Sequence, residues 1–188
     1  MKNHSDVPAR EDSSSGFTFG LRGRDRLIVL VLSVATPLVL VGAGGAITAD
    51  AIPGWYAELP KPTWKPPSWL IGPVWTVLYL TMGVAAWLVW RRGAVPGAST
   101  ALKSQVRAAL VVYGVQLMLN ASWSPMFFGL KRVDFALVII VMMLLAIAET
   151  IRRFYRLDRL AALLLAPYLG WVAFATVLNA SIWLLNRG

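Results

Sequence analysis

The chain has no cysteine, a single histidine and few charges of either sign. Without cysteine there are no disulfides, no thiolate nucleophile and no cysteine-bound metal. The one histidine, His4, sits in a polar N-terminal stretch. No histidine in the apolar body is therefore available to ligate haem iron. Zinc triads, serine triads and phosphate-binding loops are missing as well. No pair of carboxylates falls inside an apolar run, which removes ordinary acid–base catalysis. Only 14% of the 188 residues are charged, while 57% are apolar. A soluble domain is about half apolar and about a quarter charged. With a mean hydropathy of +0.63, the chain reads as an integral, multi-pass membrane protein.

What is present is a polar tail followed by five apolar segments. Residues 1–26 contain "EDSSSG" and end in Arg22, Arg24 and Arg26. They predict a disordered tail with a basic cluster beside the membrane rather than a cleavable signal. Residues 27–188 predict one all-α bundle of five transmembrane helices. Its segments fall at about 27–48, 69–90, 104–128, 135–150 and 160–185, and a long tryptophan- and proline-rich loop joins the first two. Pro37 is expected to kink the first helix. Gly42, Gly44 and Gly45 permit close approach by a neighbour, and Gly42 with Ala46 offers a small-residue contact.

The charge is +9, yet the basic residues lie between apolar runs instead of forming one stripe. Nucleic acid is therefore not the expected partner; the lipid bilayer is. Five crossings place thirteen basic residues on one side: Lys2, Arg10, Arg22, Arg24 and Arg26 in the tail, Arg91, Arg92, Lys103 and Arg107 around the second loop, and Arg152, Arg153, Arg156 and Arg159 around the fourth. Five remain on the other side, namely Lys61, Lys65, Lys131, Arg132 and Arg187. In a bacterial inner membrane this bias puts the N-terminus in the cytoplasm and the first loop outside. An organelle membrane follows other insertion rules.

That first loop, "WYAELPKPTWKPPSWLIGPVW" at residues 55–75, holds four tryptophans and five prolines. The prolines stiffen it, and the tryptophans suit either the headgroup belt or a lid over a cavity between helices. A stiff lid loses little entropy when a ligand binds.

Three ordered blocks carry a family resemblance: "WYAELPKPTWKPPSWLIGPVWTVLYLTMGVAAWLVW", "QLMLNASWSPMFFG" and "APYLGWVAFATVLN". Over about residues 27–186 the chain resembles the tryptophan-rich sensory protein or translocator protein family (TspO/MBR, the peripheral-type benzodiazepine receptors). The resemblance implies a five-helix membrane receptor, a homodimer, that binds tetrapyrroles such as protoporphyrin IX and haem, and hydrophobic drug-like molecules, with no required cofactor and no metal. It leaves open a light- and oxygen-dependent porphyrin-degrading activity and a transporter of porphyrin or sterol-like lipids. The late stretch "LNASIWLLNR" lacks the tyrosine of the sterol-recognition pattern found in animal relatives.

By the same resemblance, the ligand-binding residues are Gly45, Tyr56, Ile71, Gly72, Val74, Trp75, Asn120, Trp123, Trp171, Ala175 and Leu178. Trp75 and Trp171 would be the catalytic pair if degradation occurs. Spacing places Trp75, Tyr79 and Gly83 on one helix face, and Trp171, Ala175, Leu178 and Asn179 on another. Two such faces suit the walls of a slot for a flat apolar ring. Core packing by the same tryptophans, and interhelical hydrogen bonding by Asn120 and Asn179, are the simpler readings. Lys61 and Lys65 suit either solvent and lipid phosphate or a ligand carboxylate. Glu149 and Arg153, four apart, read as an ion pair.

Overall fold

The computed structural model describes residues 23–187; within its first helix, the surroundings of residues 23, 24, 41, 43–47 and 50 fall outside the description. Residues 1–22 of the expected tail lie outside the described residues, as do the side-chain surroundings of Gly44, Gly45 and Ala46. Among the described residues there is no strand. Five long helices dominate: α1 (Gly23–Ala51), α3 (Ser68–Gly93), α4 (Thr100–Ser124), α5 (Val133–Leu157) and α6 (Arg159–Leu185). The single turn α2 (Trp55–Glu58) lies in the loop after α1, and a π-helical turn, Pro125–Gly129, extends α4. Of these, α3, α5 and α6 are long and apolar enough to cross a membrane.

Local chemistry sets several boundaries. The Ser99 hydroxyl accepts the Leu102 amide and caps α4, while the Asp158 carboxylate accepts the Ala161 amide and caps α6. Asp158 alone separates α5 from α6, and its extended backbone turns the chain (φ −155°, ψ 111°). The fourth segment, expected to stop near residue 150, continues to Leu157. Its last turns alternate buried Thr150 and Phe154 with exposed arginines, so packing carries the helix past the end of the apolar run. Pro125 opens the π turn, where the Leu130 amide reaches the Pro125 carbonyl at 2.8 Å. Lys131 leaves the turn with φ 55°.

The core runs along α3, which packs on α1, α4 and α6. Its centre holds Met82, Ala85, Val89, Ala109, Phe154, Ala161 and Val172, all sealed from solvent. A close approach occurs at Gly83, where an added Cβ would stand 2.6 Å from the Val34 Cα and 2.7 Å from the Ser33 carbonyl oxygen of α1. Pro37, having no amide, cannot donate to that Ser33 carbonyl, and Gly83 packs against it.

Arg92 donates through Nε and Nη2 to Asp158 Oδ2 at 3.1 and 2.8 Å. This fastens the end of α3 to the α5–α6 corner. Arg91 approaches the same oxygen at 3.9 Å. Burial raises the Asp158 pKa, but the Ala161 amide and the two arginines outweigh it, leaving the carboxyl below its ordinary value.

Candidate functional site

At the opposite end the helices stand apart around a cavity of about 310 Å³. Its walls come from all five long helices. Ile71, Gly72, Trp75 and Tyr79 project from α3, Asn120 and Trp123 from α4, and Ile140 and Met143 from α5; α6 adds Trp171, Ala175, Leu178 and Asn179, and α1 adds Leu40 and Thr48. Tyr56 and Pro66 close it from the loop.

Aromatic packing holds the loop in place. Trp55 and Tyr56 each meet Phe127 edge-on, with ring centroids 6.1 Å apart, and Tyr56 also meets Phe128 at 5.4 Å. On the far side Trp64 packs edge-on against Phe174 of α6 at 5.7 Å. The Lys61 ammonium donates to the carbonyls of Tyr56, Ala57 and Leu59, capping the short α2. Burial, then Lys65, lowers its pKa, and burial raises that of the Tyr56 hydroxyl. Asn186 Nδ2, just past α6, donates to the Pro60 carbonyl at 3.0 Å. The loop is thus strapped to both sides of the cavity.

Polar groups in the wall are tied between helices. Asn120 Oδ1 accepts from the Tyr79 hydroxyl, and Asn120 Nδ2 donates to the Tyr168 hydroxyl at 2.9 Å. Asn179 Oδ1 accepts from Trp123 Nε1 at 3.1 Å, and Asn179 Nδ2 donates to the Val133 carbonyl at 3.0 Å. Both asparagines are therefore interhelical bonds and cavity walls together. Trp123 in turn stacks on Phe127, centroids 5.0 Å apart.

Nine of the eleven residues named from the sequence line this one cavity: Tyr56, Ile71, Gly72, Trp75, Asn120, Trp123, Trp171, Ala175 and Leu178. Val74 does not; it packs on the core instead, because it points about 100° round the helix from Trp75. Gly45 belongs to α1, with its surroundings outside the description. Gly83 lies about 6 Å deeper than Tyr79, where the cavity has ended and α1 closes in. Lys61 spends its donors on backbone carbonyls, while Lys65 is exposed. Glu149 pairs with Arg153 and also with Arg152, each at 2.6 Å. Not foreseen were Phe127 and Phe128, which line the cavity, and Tyr168, which holds Asn120 from behind the wall. All three stood inside the quoted motifs, but nothing in their spacing showed which helix they would meet.

Long apolar helices around an aromatic, roofed cavity define a helical membrane-type protein with an internal, mostly apolar cavity. Residues 33–184 match the model of the TspO/MBR family. The chain is similar to the human translocator protein, 43% identical over 134 residues covering 71% of this chain and 76% of that one. It is 38% identical to the tryptophan-rich protein TspO of Chlorobaculum tepidum over 161 residues, covering 86% and 98%. With the tryptophan-rich sensory protein of Cereibacter sphaeroides it shares 37% identity over 150 residues, covering 78% and 88%. The chain belongs to the TspO/MBR family.

Proposed function

We propose that the protein is a membrane receptor that takes a tetrapyrrole, protoporphyrin IX or haem, or a drug-like hydrophobic molecule, into the cavity beneath the loop. The observation that carries this reading is the convergence of Tyr56, Trp75, Trp123 and Trp171 on one mostly apolar space. A macrocycle offers large apolar faces to such rings and a few polar atoms at its edge. The volume is at the small end for ligand sites, so a macrocycle would enter with one edge and leave its carboxylates toward the mouth. Without a histidine in the bundle, metal-free and iron porphyrins would be held by the same ring contacts.

In this reading all five long helices cross the bilayer, α1 and α4 included, and the protein works as a homodimer. The fastening of Arg91 and Arg92 to the α5–α6 corner puts the second- and fourth-loop arginines at one end, which supports a cytoplasmic N-terminus. Protoporphyrin binding to the purified protein, read by quenching of tryptophan fluorescence, tests the reading. The Trp75→Ala, Trp171→Ala double variant is expected to bind about tenfold more weakly or worse, each ring contributing about 0.5–1.5 kcal/mol beyond its buried area. Unchanged affinity removes the pocket assignment.

A second reading is a light- and oxygen-dependent loss of bound porphyrin. It draws on Trp75, whose ring lies 5.3 Å from that of Tyr79 and 6.3 Å from that of Tyr168, a cluster of oxidisable rings at the cavity wall. Replacing Trp75 and Trp171 by phenylalanine keeps the apolar wall and removes the indoles. Equal photobleaching rates in variant and parent, with and without oxygen, reject an enzymatic role.

A further inference from the structure

Below the cavity a polar column runs into the middle of the bundle. The Tyr79 hydroxyl donates to Asn120 Oδ1, Asn120 Nδ2 donates to the Tyr168 hydroxyl at 2.9 Å, and Tyr168 donates to Gln116 Oε1 at 2.9 Å. Every donor points the same way, from the cavity wall inward. The column ends out of balance. Among the described residues, Gln116 Nε2 and the Tyr113 hydroxyl have no hydrogen-bond partner, although Gln116 is 1% exposed and Tyr113 7%.

These two side chains are three residues apart on α4, so they lie on one face with Cβ atoms about 5–6 Å apart. Phe154 stacks on Tyr113, centroids 6.0 Å apart, and Tyr168 covers Gln116. Two unpaired polar groups at this depth are costly, and lipid around the bundle offers them no partner. Whatever completes them must accept from an amide nitrogen and exchange a hydrogen bond with a hydroxyl. An amide nitrogen repels a cation, and no charged side chain takes part in the column to hold an anion. A neutral molecule that both accepts and donates, and is small enough to sit between side chains one turn apart, is water.

We propose that Tyr113 and Gln116 bind one buried water, which completes the column and so fixes the orientation of Asn120 at the cavity wall. The site is separate from the cavity, and it stands whichever guest the cavity takes. It makes Tyr113 and Gln116 positioning residues for the wall, acting through Tyr168.

A double-mutant cycle on the full chain in detergent or nanodiscs tests the site. Tyr113→Phe and Gln116→Leu each remove one partner and strand the water on the other, and Gln116→Leu also takes the acceptor of the Tyr168 hydroxyl. Each is therefore expected to lower the thermal unfolding midpoint, Tyr113→Phe by a few degrees and Gln116→Leu by more. The double variant strands the Tyr168 hydroxyl just as Gln116→Leu does, so that loss cancels in the cycle. With neither water partner left, it is expected to lose clearly less than the two singles together. A Tyr113→Phe variant that is neutral or stabilising means a dry hydroxyl that is better removed, and losses that simply add mean two independent groups; either result overturns the proposal. A second readout covers a variant that fails to fold. The chain has two glutamines, Gln105 and Gln116, so glutamine-selective ¹⁵N labelling isolates the buried side-chain amide. Magnetisation transfer from water to the Gln116 amide is expected in the parent protein, and its absence overturns the proposal.

Discussion

Helix α3 passes through two surroundings that differ in one property, the size of what faces it. From Ser68 to Tyr79 it meets rings: Trp123, Phe127 and Trp171 across the cavity, with Tyr56 above. From Met82 to Val89 it lies in the sealed core, touching the α1 backbone at Gly83 and sharing a cluster in which Ala109 of α4 and Ala161 and Ala162 of α6 are buried. Small residues let helix axes approach until side-chain gaps vanish. Rings stand the axes apart, and where three helices contribute rings at one level the centre stays open. The cavity is thus a consequence of aromatic content at one end, and the solid end supplies the stability that a hollow one lacks.

The sharpest way to break this contrast is to enlarge Gly83. Its Cβ would fall 2.6 Å from a backbone atom of α1, which cannot rotate away as a side chain would. Gly83→Ala is expected to destabilise by about 3 kcal/mol or more, at the top of the usual overpacking range. Gly83→Leu is expected not to fold. Thermal unfolding in detergent measures both, and a Gly83→Ala midpoint equal to the parent's refutes the close contact.

Next in size is the pin at the solid end. Asp158→Asn keeps the shape but gives up the charge that Arg92 and Arg91 face, and Asp158→Ala loses the α6 cap too. Charged hydrogen bonds of this kind contribute about 1.5–3 kcal/mol, reduced here because Arg92 is half exposed. The sign with pH follows from a carboxyl held below its ordinary value. Its contribution is complete above the unfolded value of about 3.9 and is lost as pH falls toward the folded one. The midpoint gap between parent and Asp158→Asn should therefore be full at pH 7 and close below about pH 4. A gap that persists in acid assigns the effect to packing instead.

The two ends also differed in how far the sequence disclosed them. Helix positions were readable because apolar runs longer than the bilayer core have few alternatives. The faces that line the cavity were readable on α6, where Trp171, Ala175, Leu178 and Asn179 keep helical spacing, and on α3 as far as Tyr79. Beyond one helix, periodicity says nothing of which face meets which. Gly83 shares the nominal face of Trp75 yet serves the α1 contact, because the cavity ends a turn above it. The π turn was hidden, since Pro125 marks a break without specifying its ring size. The role of Tyr168 was hidden for another reason: its partners, Asn120 and Gln116, lie 48 and 52 residues away. Residues Trp55–Glu58 form a turn of helix inside the loop because they precede its dense prolines, and Lys61 caps them from within that stretch.

The smallest expected effect on stability separates the two ends most cleanly. Gly72 lines the cavity on α3, and a Cβ built there meets nothing within 4 Å outside its chain neighbours and its own helix backbone. Gly83, eleven residues further along the same helix, is blocked. Gly72→Ala should therefore shift stability by less than about 1 kcal/mol, because alanine orders less expensively in a helix while a Cβ just before Pro73 disfavours the α conformation. Gly72→Leu should also fold, with a midpoint near the parent's, while its side chain takes up room that a ring-shaped guest needs. Protoporphyrin affinity is then expected to fall in order from glycine through alanine to leucine as stability holds. One substitution type at two sites on one helix thus gives a large loss at one and almost none at the other. A fall in stability at Gly72 comparable to that at Gly83 would mean that the outer end is as tightly packed as the inner one, and the cavity would lose its physical basis.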